Sequence, residues 1–234
     1  MRRLSDAHHF RKMVAGMCMM FGPLVLLVGL VIHPESKTSE GAQLAVIADH
    51  LDQWYVAHLL ILISIALAVP AVLGLMHMLR ERQVAFGHVG GGLGLLGLLA
   101  LTGLVTMDGF VGWQAAAGGN RAAMTSLFHS LHHTTGVVIP FFVVSFALSL
   151  GLICLAIGLY RAHAVQWWMA LFLAVAAVCF AIANPAALNW LAIVGGAFLF
   201  VGLGSVGRMV MAESDEDWEH TPEYKGFRPT LGMR

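Results

Sequence analysis

Six stretches of the chain are almost free of polar side chains: residues 13–32, 56–79, 89–107, 137–160, 164–183 and 188–211. Each is about as long as the ~20 residues an α-helix needs to cross the ~30 Å hydrocarbon layer of a bilayer. The apolar character is continuous rather than alternating, which favours helices over strands at this length. The pattern therefore predicts an all-α, polytopic membrane protein: a six-transmembrane-helix bundle over residues 1–211, followed by a polar tail over 212–234.

Two amphipathic segments lie between the runs. From Ser39 to Val56, Leu44, Ile47, Leu51 and Trp54 repeat at helical spacing, and Ser39 suits an N-cap. From Asn120 to Thr135, Met124, Leu127, Phe128 and Leu131 do the same. Helices two and four are thus expected to extend beyond the membrane on the outer side. Gly87, Gly90, Gly91 and Gly94 in and just before the third run, Ser145 and Ser149 in the fourth, and Ala170, Ala174, Ala177 and Ala181 in the fifth place small residues four apart. That spacing lets helix backbones approach closely in lipid, within one bundle, a homo-oligomer or a larger complex.

Charge sets the expected orientation. Of 13 Lys and Arg residues, only Lys37 and Arg121 fall on the side of the amphipathic segments. By the positive-inside rule both termini are expected in the cytoplasm. Net charge is zero and charged residues make up 11% of the chain, so no basic field exists to hold nucleic acid. Cys18, Cys154 and Cys179 lie in three different apolar runs and imply no disulfide framework. The tail carries Asp215, Glu216, Asp217 and Glu219, a composition expected to be disordered unless it docks on the bundle, a sister protomer or another subunit.

The candidate chemistry is histidine. Twelve are present, and several gather at the outer ends of the predicted helices. His129 stands three residues before His132 and four before His133, spacings that place imidazoles on one helix face, where two can share a metal. His58 opens the second run at the same depth, Asp108 closes the third and His33 closes the first. Two readings of this layer stay open. A b-type haem takes one imidazole from each of two facing helices, here His58 with His132 or His133. A non-haem Cu, Fe or Zn site takes His58, Asp108, His129 and His133, with His33, Glu35, Asp49 and His50 around it. Cys18 and the methionines Met13, Met17, Met19, Met20, Met76 and Met78 cluster towards the opposite boundary, as soft Cu(I) ligands or as packing. His77, His88 and His163 at that boundary are expected to meet lipid headgroups.

His33-Pro34, Trp54, Ala57-His58-Leu59-Leu60, Pro70 and the glycine-rich third run together resemble a group of bacterial multi-pass membrane proteins. The resemblance covers the first half of the chain and implies a bacterial inner-membrane location, with no activity to carry over. The functional expectation is a membrane protein with a histidine-based haem or transition-metal site at its extracytoplasmic face, serving redox chemistry or electron transfer. The alternatives are a proton or metal-ion transporter using the same histidines and Asp108, and a non-catalytic accessory subunit.

Overall fold

The computed structural model describes residues 7–220, apart from the side chains of residues 132, 137–138 and 140–145. Among the described residues there are helices and no strands. The long helices are α1 (Ala7–Ile32), α3 (Leu51–Met78), α4 (Val84–Val105), α7 (Thr135–Arg161), α8 (Trp167–Ala183) and α9 (Asn189–Ala212). Shorter ones are α2 (Glu40–Asp49), α5 (Gly112–Ala117), α6 (Arg121–His133) and α10 (Asp215–Trp218). Among the described residues, four helical stretches, Ala7–Ile32, Leu51–Met78, Val84–Ala117 and Asn189–Ala212, are long and apolar enough to cross a membrane.

The long helices close a ring. α1 packs on α3, α3 on α4, α4 on α7, α7 on α8, α8 on α9, and α9 returns to α1. Consecutive long helices are thus neighbours, and the last meets the first. Inside the ring Met19, Leu75, Met78, Leu155, Leu159, Leu173 and Val206 form a continuous buried core. Met19 and Met78 are completely buried there, so they act as filling side chains.

The small residues are used within the chain. A Cβ on Gly151 would fall 2.5 Å from the Gly94 amide nitrogen, and one on Gly97 would fall 2.4 Å from that of Leu148. α4 and α7 therefore touch backbone to backbone. Gly90 lies in the same seam, whereas Gly92 has open space beside it.

Three local features differ from the expected layout. The helix anticipated from Ser39 into the second run breaks at His50 (φ −136°, ψ 39°), separating α2 from α3. A straight helix would hold Ile47 and Trp54 roughly 10 Å apart along its axis. The break lets both join Leu44, Ala115 and Phe128 in a second small core. The fourth helix likewise breaks at Thr134 (φ −73°, ψ 112°), between α6 and α7. Helix three does not end near residue 107: a π-helical turn over Thr106–Val111 carries it on into α5.

The described part of the tail docks on the bundle. Trp218 is buried, its ring stacked on His77 at 4.5 Å, and its carbonyl accepts from His77 Nε2 and Arg80. Lys12, only 4% exposed, pairs with Asp215 and donates to the Glu213 carbonyl. His77 thus contacts the chain's own tail instead of standing free for a headgroup. Residues 221–234 of the tail lie outside the described residues. The α10 end of the ring is called proximal below, and the end carrying α2, α5 and α6 distal.

Candidate functional site at the distal end

Among the described residues, two groups of histidine and carboxylate side chains lie at the distal end. The first lies on the outer helices. Glu40 is the first residue of α2, and His129 and His133 sit one turn apart on α6, whose N-terminus is capped by the Asn120 side chain accepting from the Ala123 amide. The small core of Leu44, Ile47, Ala115 and Phe128 holds α2, α5 and α6 together, and Gly112 lets the Phe128 ring rest on the α5 backbone. As a result both imidazoles reach one carboxylate oxygen: His129 Nδ1 lies 3.2 Å and His133 Nε2 2.9 Å from Glu40 Oε1. The rings stack at 4.1 Å. One ligand atom from each residue falls within 4.8 Å of the others. A hydrogen bond from its own backbone amide, then those from His133 and His129, holds the Glu40 carboxyl at about 2, well below the usual carboxylate range.

The donor set fits a transition metal. Zinc–nitrogen and zinc–oxygen bonds of about 2.1 Å place ligand atoms ~3.4 Å apart at a tetrahedral centre, close to the two nitrogen–oxygen spacings of 3.2 and 2.9 Å. Two nitrogens and one carboxylate oxygen leave coordination positions free, a set suited to zinc, iron or copper.

The second group is interior. His58 is 3% exposed. Its Nδ1–H donates to the Trp54 carbonyl one turn earlier (2.9 Å), which orients the ring and places Nε2 3.6 Å from Asp108 Oδ2. Trp54 packs at 4.4 Å from the His58 ring, and its Nε1–H donates to the Gly109 carbonyl (3.0 Å). The π-helical turn provides both Asp108 and that carbonyl. Wide turns of this kind recur at functional sites. A Cβ on Gly109 would stand 2.4 Å from His58 Cδ2, so only glycine fits. His33 completes the group, 4.8 Å from Trp54 and 4.9 Å from His58 between ring centroids, with Nδ1 donating to the Pro34 carbonyl. Burial, then the neighbouring His58, lowers the His33 imidazole to about 4, so it is neutral at ordinary pH. Asn189 anchors this loop by bonding the Pro34 carbonyl and the Ser36 amide.

The residues expected to form one layer are therefore divided. His58 and Asp108 come together with His33, and His129 and His133 come together with Glu40. His50 is exposed and bonded to its own helix at Val46, Asp49 is exposed, and Glu35 pairs with Lys37. The His132 side chain lies outside the described set. Around the His58 ring pack Trp54, His33 and Gly109, with Nδ1 bonded to the Trp54 carbonyl and Nε2 towards Asp108. Glu40 and Gly109 are absent from the sequence reading. An acid in a helix's first turn is ordinary, and nothing in the sequence marks a π-turn.

No family model matches the chain, and no curated protein or solved structure matches it.

Proposed function

We propose that this is an integral membrane protein that binds a first-row transition metal through Glu40, His129 and His133 and uses it in redox chemistry or electron transfer. The observation that carries the reading is the meeting of two imidazoles from one helix and a carboxylate from another within 4.8 Å. A metal replaces the two shared protons and keeps its remaining positions for an exchangeable ligand. Six crossings are supported by the even ring of long helices, in which α8, at 17 residues, stands at the short limit of a span. The excess of Lys and Arg at the proximal end supports cytoplasmic termini, with the metal on the extracytoplasmic side of a bacterial inner membrane.

The test is metal analysis and absorption spectroscopy on the full chain purified in mild detergent, followed by Co²⁺ titration. Glu40→Gln and His133→Ala are expected to weaken one equivalent by about tenfold or more, a loss at least as large as outer-shell changes produce. Identical Co²⁺ affinities in both variants would remove the assignment.

A further inference from the structure

A groove of about 250 Å³ opens at the proximal end, between the start of α1 and the end of α3. Val14, Ala15, Pro70 and Leu73 give it an apolar lining, Trp218 of the docked tail borders it, and Arg11 contributes its one charged side chain. Arg11 stands just before the first apolar run, and Pro70 lies well inside the second. The groove therefore leads from the membrane boundary into the hydrocarbon layer. Phe10 and Leu73, each about half exposed, leave it open to the surroundings of the bundle. Its volume is below the ~300–1,000 Å³ of sites that enclose a small molecule. A slender chain lying along it suits the space better.

The charges at its border select the kind of chain. Among the described residues, Glu219 pairs with His8, and Asp215 pairs with Lys12 and His9. Arg11 spends Nε on the Ala7 carbonyl, and its Nη2 lies 3.4 Å from His8 Nδ1. A guanidinium has five N–H groups, so Arg11 retains donors for the paired oxygens of a phosphodiester. Arg80, bonded to the His77 and Trp218 carbonyls, adds a second positive charge beside the same border.

We propose that this groove holds one anionic phospholipid of the surrounding bilayer, its acyl chain along Val14, Pro70 and Leu73 and its phosphate on Arg11. Basic pockets between membrane helices are a recurring place for such headgroups. A zwitterionic headgroup brings its own ammonium towards the two arginines and gains less. A second groove of about 290 Å³, between α3 and α4, is lined by Leu62, Ile65, Val69, Leu99 and Thr102 without any charged side chain. It is expected to take both lipid types alike. The α1–α3 groove lies at the opposite end of the bundle from Glu40, His129 and His133, so the proposal stands apart from the metal reading.

The test is native mass spectrometry of the full chain in mild detergent, titrated with phosphatidylglycerol and with phosphatidylcholine of identical acyl chains. The first phosphatidylglycerol is expected to bind about fivefold more tightly than the first phosphatidylcholine, the weight of one arginine beside an anionic headgroup. Arg11→Gln, at an exposed position, is expected to remove that preference, and Leu73→Trp, which fills the groove, to release the first phosphatidylglycerol. Arg208→Gln, exposed on α9 at the same end, is expected to change nothing. Equal affinity for the two lipids in the wild-type protein, or a preference that survives Arg11→Gln, would overturn the proposal. So would binding unaffected by Leu73→Trp. A preference lost equally in Arg208→Gln would assign it to the positive rim as a whole and overturn the groove.

Discussion

Gly109 has a dual role at the scale of single residues. Its carbonyl receives the Trp54 indole, and the missing side chain makes room for the His58 ring. Gly109→Ala forces one of them to move, and overpacking of this kind costs about 1–3 kcal/mol. The expected result is a lower thermal unfolding midpoint in detergent. An unaltered midpoint would show that the turn relaxes freely. Trp54→Phe keeps most of the packing and loses the indole bond, so a milder loss of about 1 kcal/mol is expected on the same melt. At this scale the sequence reveals the ligand types and their depth: His33, His58 and Asp108 end or begin apolar runs, and His129 and His133 have the spacing of one helix face. It does not reveal the grouping. Which imidazole meets which carboxylate depends on the breaks at His50 and Thr134, and these follow from tertiary burial of Ile47, Trp54 and Phe128.

Among the elements, the tail segment around α10 shows how composition misleads. Counted as charges, Asp215, Glu216, Asp217 and Glu219 seek water. In place, Asp215 meets Lys12 and His9, and Glu219 meets His8. Two carboxyls give the docking opposite pH dependences. Hydrogen bonds from Lys12 and His9 lower Asp215 from 3.8 to about 2, so its contribution is complete above pH 3.8 and lost as pH falls through about 2. Burial raises Glu213 from 4.5 to about 7, so its contribution is complete below pH 4.5 and lost as pH rises through about 7. Glu213 Oε2 also has no hydrogen-bond partner. Trp218 fluorescence, taken as the difference from a Trp218→Phe protein, is expected to report loosening of the tail above pH 7. Glu213→Gln is expected to abolish that dependence. A flat wild-type profile between pH 6 and 9 would contradict the assigned role of Glu213.

For the whole molecule, the apolar runs foretell the helical class, and the ring order follows from chain order because neighbouring long helices pack together. The closing contact between α1 and α9 is beyond any periodicity, since the glycines that permit it, Gly16 against the Gly207 carbonyl and Gly207 against the Gly16 carbonyl, sit at opposite ends of the sequence. The proposed six crossings and cytoplasmic termini predict that a cysteine introduced at Arg121 is labelled by a membrane-impermeant reagent in intact cells, whereas one introduced at Glu216 is labelled only after lysis. The opposite pattern would invert the topology.

The ring closure implies that the two ends of the described chain, at His8 and Glu219, are held together. α1 and α9 lie side by side, and α10 rests on the start of α1. The linear order of the polypeptide is then one of several ways to thread the same packing. A circular permutant that joins the present termini by a flexible linker and opens the chain in the short proximal connection between α7 and α8, near His163, retains each helix–helix seam. Both clusters of histidine and carboxylate side chains lie at the other end of the bundle and would be untouched by the cut.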